Sequence, residues 1–316
     1  ANSSGKSNFL KALGVFSGIV SYSSSTNSIG RLPVTPFLLD EKSETKPCFF
    51  EIEVITSDTT NYRYGFECTT SAVEREWLYR IGPRSEKCLF IRENDNIGIT
   101  PAFPEGKGLE ERTRSNALFL SVCDAFNGII AKEVVRSIVI PPIPDNPKEL
   151  ISFQRELFKD TDKYLTEKAN EIFQKLDMGF TSFEIPQSES EIREIKAWTK
   201  HNVYDEQGVV VGTRRFPMSS YESAGTNRLF DIIYLILLSL ENGSPIVIDE
   251  LDRALHPLLT KYIIELFNND KTNPRGAQLI FTTHDTNLLR SKTFRRDQIW
   301  FVEKDERGVS TLYSLA

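Results

Sequence analysis

The stretch Ala1-Asn2-Ser3-Ser4-Gly5-Lys6-Ser7 decides how the rest of the chain is read. It fits the second to eighth positions of the pattern G-x-x-x-x-G-K-[ST], with the leading glycine falling before Ala1. In that pattern successive backbone N–H groups and a helix N-terminus form a cradle for phosphate oxygens. Gly5 would let the backbone approach closely, Lys6 would reach the β- and γ-phosphates of ATP, and the Ser7 hydroxyl would hold Mg2+. Taken alone, the same residues also read as a small-residue helix cap with an exposed lysine. A loop of this kind follows a strand, and no strand precedes it here, so the sequence is expected to be an incomplete version of a longer protein. Just after it, Phe9, Leu10, Leu13, Phe16 and Val20 recur at helical spacing, which predicts a helix over Asn8 to Tyr22.

The complementary signals lie at the other end. Ser244-Pro245-Ile246-Val247-Ile248-Asp249-Glu250 is a short apolar run closed by two acids, as expected of a buried parallel strand whose carboxyl end faces a ligand crevice. There Asp249 would hold Mg2+, directly or through water, and Glu250 would orient and deprotonate an attacking water. A strand running into a solvated acidic turn gives the same string. Gln278-Leu279-Ile280-Phe281-Thr282-Thr283-His284-Asp285 is a second such strand, ending in small hydroxyls and a histidine. An imidazole at that end could hydrogen-bond a γ-phosphate and report its loss, although a lone histidine after a strand is usually a capped loop residue. Finally, Glu222-Ser223-Ala224-Gly225-Thr226-Asn227-Arg228 opens a helix with a serine hydroxyl, a glycine N–H and the helix dipole, a second anion site. By itself it is an N-cap serine with a flexible glycine. The four signals in this order are hard to obtain by accident.

Between these ends, Cys48 to about Arg92 breaks into short alternating or aromatic runs such as Phe49 to Val54, Tyr62 to Phe66, Glu76 to Tyr79 and Leu89 to Ile91. Separated by polar turns, they predict an antiparallel meander. Asn116 to Leu176 is mostly helical, interrupted at Pro141-Pro142-Ile143-Pro144, and Gly179 ends it. Ile195 to Tyr204 and Val209 to Pro217 flank Asp205-Glu206-Gln207-Gly208, a hairpin with a glycine-bearing turn. A helix from about Gly225 to Leu240 follows, then alternating strand and helix. The heptads are too short for a coiled-coil arm.

Composition bounds the alternatives. With 316 residues, 40% hydrophobic and 26% charged, the chain has the balance of a soluble globular protein. Its longest apolar stretch, Ile232 to Leu240, is too short to cross a bilayer, and no signal peptide is visible. Cys48, Cys68, Cys88 and Cys123 lie far apart in sequence, as free thiols in a cytoplasmic protein would. Net charge is −6 with no basic block, so charge lends nucleic acid no support as a partner.

The segments Asn2-Ser3-Ser4-Gly5-Lys6-Ser7-Asn8, Glu222 to Arg228, Ile248-Asp249-Glu250-Leu251-Asp252 with His256-Pro257, and Phe281-Thr282-Thr283-His284-Asp285 resemble ABC-type ATPases outside the transporters. The likeness is to the bacterial abortive-infection family, relatives of the phage-defence ATPases of the PARIS and Septu systems. It extends to Pro36 to Asp40, Tyr62 to Phe66 and Gln298 to Glu303. The transporter-type Leu-Ser-Gly-Gly-Gln is replaced by Glu222-Ser223-Ala224-Gly225-Thr226, which argues against a transporter subunit. The resemblance implies an α/β P-loop NTPase fold of ABC type, as one domain over 1–316. Its core would be discontinuous, 1–47 and 205–316, with an antiparallel β-lobe at about 48–92 and an inserted helical lobe at about 110–204. It implies a homodimer with ATP at the interface, Ser223 and Gly225 touching the γ-phosphate held by the other subunit's Lys6 and Ser7, and Asp252 in a loop crossing that interface. Hydrolysis, slow or regulated, would switch a partner effector, commonly a nuclease, when a phage component is sensed.

Two other readings share these motifs. One is a DNA-repair or chromosome-maintenance ATPase related to RecF, against which the missing heptads and basic stripe count for the long-armed versions. The other is a scaffold that binds ATP only to dimerise, against which the presence of both Asp249 and Glu250 counts. All require that Lys6 and Ser7 serve the same magnesium-bound triphosphate as Asp249, Glu250 and His284.

Overall fold

Helix α1 (Lys6–Tyr22) has Gly5 at its N-cap, in a left-handed conformation with φ 108°. The computed structural model of the chain describes residues 5–140, 163–186, 196–289 and 293–316. Two compact units form: Ala1–Pro141 with Arg296–Ala316, and Pro142–Arg295.

In the first unit, β1 (Cys48–Ile55), β2 (Asn61–Cys68), β3 (Val73–Ile81), β4 (Glu86–Glu93) and β5 (Asn96–Ile99) make a five-stranded antiparallel meander in chain order. The meander runs one strand beyond the expected end at Arg92, because Asn94 takes a left-handed φ of 53° and folds the chain straight back. α1 lays Phe16, Ile19 and Val20 on this sheet, and the Phe16 ring stacks on Phe66 with centroids 5.4 Å apart. Helices α2 (Phe119–Ala125) and α3 (Ile129–Ile138) close the core. α2 is tied to α1 by the buried Ser121 hydroxyl, which donates to the Val20 carbonyl at 2.7 Å.

A buried carboxylate organises this core. Glu76 of β3 accepts from the Phe119 and Leu120 amides at 2.7 and 2.9 Å, and from the Tyr64 hydroxyl at 2.9 Å. It thereby supplies the N-terminal cap that Leu118 cannot. Strands β11 (Trp300–Lys304) and β12 (Ser310–Ser314) form a hairpin in the same unit. Its turn, Asp305 to Val309, repeats the bonding of Asp205 to Val209: in both, the aspartate Oδ1 accepts from the amides two and four residues on.

In the second unit, α4 (Lys163–Lys175) precedes the antiparallel sheet β6 (Ser182–Glu184), β7 (Trp198–Tyr204) and β8 (Val210–Pro217). After one short turn of helix, α5 (Met218–Tyr221), comes α6 (Ala224–Asn242). α6 is apolar almost all round and correspondingly buried, with Leu229, Phe230, Ile232, Ile233 and Ile236 inaccessible to solvent. Ser223 caps its start and Gly243, at φ 67°, ends it. β9 (Ile246–Ile248) then pairs in parallel with β10 (Leu279–Phe281) across helix α7 (Pro257–Asn268). Parallel pairing with an intervening helix is the unit from which α/β sheets are built. No helix among the described residues is long and apolar enough to cross a membrane.

Candidate functional site

Of the phosphate-loop residues, Asn2, Ser3 and Ser4 lie outside the described residues, while Gly5, Lys6, Ser7 and Asn8 are described. Gly5 is required by both backbone and space. Its φ is one that L-residues rarely adopt, and an added Cβ would stand 2.4 Å from Ser310 Oγ of β12 and 3.6 Å from Val302 Cγ1 of β11. The hairpin therefore packs against the start of α1 within the same unit. Phe9 donates the first intrahelical bond, to the Gly5 carbonyl at 3.1 Å. The amides before it have no acceptor inside the helix, and no acidic side chain sits in the first turn, so this end favours an anion.

The second unit holds the acidic corner. β9 is buried at all three positions, and its register with β10 runs Ile246 to Leu279, Val247 to Ile280 and Ile248 to Phe281. The next pair along is Asp249 and Thr282, so both side chains emerge at the carboxyl ends of neighbouring strands. Thr282 donates its N–H to the Ile248 carbonyl at 3.1 Å and accepts from the Leu251 amide at 3.0 Å. Its hydroxyl donates to Asp249 Oδ1 and accepts from the Glu250 amide at 2.8 Å.

Glu250 has a φ of 48°, a left-handed turn that a non-glycine residue adopts at some cost. This turn sends its side chain away from the strand, where it is 41% exposed and its Oε1 lies 3.5 Å from Nε2 of His284. The His284 amide donates to both Asp252 oxygens at 3.3 Å, closing the corner on the other side. His256 serves as the N-cap of α7 and accepts from the Leu258 amide at 3.3 Å.

The Glu222 to Arg228 segment abuts this corner in the same unit. Ser223 Oγ accepts from the Thr226 amide at 3.1 Å, as an N-cap should, and remains exposed. A Cβ on Gly225 would meet the Ala254 carbonyl oxygen at 2.9 Å, so the glycine is there for close approach of two backbones. Arg228 Nη2 reaches the Asp249 carbonyl at 3.5 Å.

Glu222 is held from behind. Its Oε1 accepts from the Thr199 hydroxyl at 2.6 Å and lies 2.8 Å from His201 Nε2, and the Glu222 side chain is only 8% exposed. Neither the Glu222, Thr199 and His201 cluster nor the Thr282 bridge is legible in the sequence. Both depend on strand register rather than on local spacing.

Asp249, Glu250, Asp252, His284, Ser223 and Gly225 thus belong to one compact unit, while Gly5, Lys6 and Ser7 belong to the other. Among the described residues, no three His, Cys, Asp or Glu side chains gather to hold a metal on their own. The donor set suits Mg2+ bound in part by a nucleotide, since that ion typically takes one or two carboxylates and fills its shell with phosphate oxygens and water. One Asp249 oxygen is committed to Thr282, which leaves the other carboxylate oxygen for such an ion.

No curated protein matches the chain. A family model does, over residues 1–120 and 141–290, a span that takes in the phosphate loop, the Glu222 to Arg228 segment, the acidic corner and His284. It describes a domain with the α/β fold of P-loop nucleoside triphosphatases. With most of its length matched, the chain belongs to the family described as "AAA domain, putative AbiEii toxin, Type IV TA system".

Proposed function

We propose that this protein is an ABC-type ATPase that dimerises around ATP and uses slow or regulated hydrolysis to control a partner effector in anti-phage defence. The observation that carries the reading is the corner at the ends of β9 and β10. There the buried strand β9, paired in parallel with the half-buried β10, delivers one carboxylate bridged by a buried hydroxyl, and a second carboxylate on a left-handed turn facing a histidine.

In this reading the segment from Asn2 to Asn8, ending in the first turn of α1, wraps the phosphates, with Lys6 on the β- and γ-oxygens. Ser7 and Asp249 hold Mg2+, which offsets the charge on the β- and γ-phosphates when bound. Glu250 takes the proton from the attacking water, and His284 senses the γ-phosphate. Ser223 and Gly225 act on the nucleotide of the other subunit. The whole forms one ATPase domain, with a nucleotide core drawn from 1–47 and 205–316 and lobes at about 48–92 and 110–204.

The family description names a toxin system, and that supports an effector as the regulated partner. The relation to PARIS and Septu ATPases, a phage component as trigger and a cytoplasmic location belong to the same proposal. Net charge of −6 leaves the effector reading ahead of a RecF-like role on DNA.

The test is binding of a fluorescent ATP analogue, with sedimentation in parallel. Wild-type protein should bind ATP with Mg2+ and shift to a dimer, and Lys6→Ala should do neither. A wild-type protein that binds no ATP in the presence of Mg2+ overturns the reading.

A further inference from the structure

Thr282 is 9% exposed, and each of its polar groups is spent at the acidic corner. Its backbone joins Ile248 to Leu251 and its hydroxyl joins Asp249 to the Glu250 amide. A threonine hydroxyl has one proton to give. Here that proton goes to Asp249 Oδ1, and the bond fixes the rotation of the carboxylate about its last bond. The oxygen's lone pair meanwhile holds the amide of Glu250, the residue whose left-handed φ aims the second carboxylate. Two groups with different tasks are therefore oriented by one buried atom.

We infer that Thr282 is a positioning residue of the ATPase centre: it aims Asp249 at the divalent ion and holds the Glu250 turn in place. The inference rests on the ATPase reading proposed above. A merely structural tie between β9 and β10 would affect stability alone. A positioning role must also change how strongly the site takes up the ion, because outer-sphere partners of metal-binding carboxylates tune metal affinity.

The experiment compares wild type, Thr282→Ser and Thr282→Val. Valine keeps the shape and removes the hydroxyl, and serine keeps the hydroxyl. Affinity for the fluorescent ATP analogue is measured in EDTA and across a Mg2+ titration. Mn2+ uptake by the nucleotide-loaded protein is followed by electron paramagnetic resonance, with thermal unfolding and ATP turnover alongside.

Thr282→Val should keep wild-type nucleotide affinity in EDTA but need about 10- to 100-fold more divalent ion, with turnover falling in parallel. Thr282→Ser should restore the ion requirement to within about 3-fold of wild type. Should Thr282→Val fail to fold, Thr282→Ala is read in the same way. A Thr282→Val protein with wild-type Mn2+ uptake and Mg2+ requirement overturns the inference, whatever its melting temperature. If wild type itself takes up neither ATP nor Mn2+, the ATPase reading falls instead, and the two failures are told apart by that control.

Discussion

His284 presents Nε2 to Oε1 of Glu250 at 3.5 Å, with both side chains more than 40% exposed. At that separation and exposure the pair contributes little to holding the fold, about 1 kcal/mol at most. What it offers is two polar groups turned outward together, on a backbone that is otherwise pinned by Thr282 and Asp252. Glu250→Gln should therefore leave the melting temperature almost unchanged and retain ATP binding. Turnover should fall about 100-fold or more, the scale of a lost general base. His284→Ala should also slow turnover, and the double variant should be no slower than Glu250→Gln alone if both act on one step. Single-turnover hydrolysis of radiolabelled ATP reads all three. A Glu250→Gln protein hydrolysing at the normal rate removes Glu250 from the role of base.

At Gly225 the constraint is space, since its φ is not among the positive ones and an alanine's backbone could adopt it. The added methyl would press on the Ala254 carbonyl oxygen at 2.9 Å, and a backbone atom cannot step aside as a side chain can. Gly225→Ala should cost about 1–3 kcal/mol of stability through overpacking. Ser223→Ala, which loses the cap to the Thr226 amide and the contact with the Thr226 hydroxyl, should cost about 1 kcal/mol. Urea denaturation separates the two. A Gly225→Ala protein as stable as wild type would mean that the turn around Ala254 yields freely and that Gly225 is not a packing requirement.

Much of this was readable in the sequence wherever local rules act alone. The helix expected over Asn8 to Tyr22 is α1, and the one expected from Gly225 to Leu240 is α6, because periodicity and caps are written within one segment. The turn at Asp205 announced its hairpin. The near-identical string Asp305-Glu306-Arg307-Gly308-Val309 carries the same chemistry, yet the segment around it was expected only to alternate strand and helix, and β12 was missed. Long-range register is what a sequence hides. Cys48 and Cys68, expected to be scattered thiols, stand directly opposite each other on β1 and β2, although both are free. Thr282 meets Asp249 from 33 residues away, and Glu222 meets His201 across a hairpin, contacts that no spacing rule encodes.

The Cys68 thiol makes stability pH-dependent. Burial, with smaller contributions from Cys48 and Glu74, pushes its pKa up from 9.0 to about 12. The folded state keeps the proton where the unfolded state would lose it. Its contribution is thus fully present below about pH 9 and is lost as pH rises towards about 12, at up to about 1.4 kcal/mol per pH unit. Cys68→Ala loses packing at every pH but has no thiol to titrate. The stability gap between wild type and Cys68→Ala should therefore narrow across that alkaline window. Denaturation curves taken at several pH values check it, and a gap that stays constant would show that the thiol is not held protonated by the fold.

Glu76 and Arg92 form a buried pair whose removal should be costly from either side. Glu76 is fully buried and Arg92 is 1% exposed, with Nη1 to Oε2 at 3.8 Å. Both Glu76 oxygens accept, from the Phe119 amide on one side and from Leu120 and Tyr64 on the other. Glutamine can match only one of those two oxygens and would turn an NH2 group towards existing donors. Glu76→Gln should cost about 3–5 kcal/mol, because it also strips Arg92 of its counter-charge. Removing Arg92 as well should not rescue it. The guanidinium donates to the carbonyls of Asn94, Ala117, Arg114 and Ser115, and Arg92→Met would leave all four without that donor, the Ala117 carbonyl among them in the buried core. The double variant should therefore be at least as unstable as Glu76→Gln, measured by thermal or urea unfolding. Recovery of wild-type stability in the double variant would mean that the pair is only an isolated ion pair and that the carbonyl contacts are dispensable.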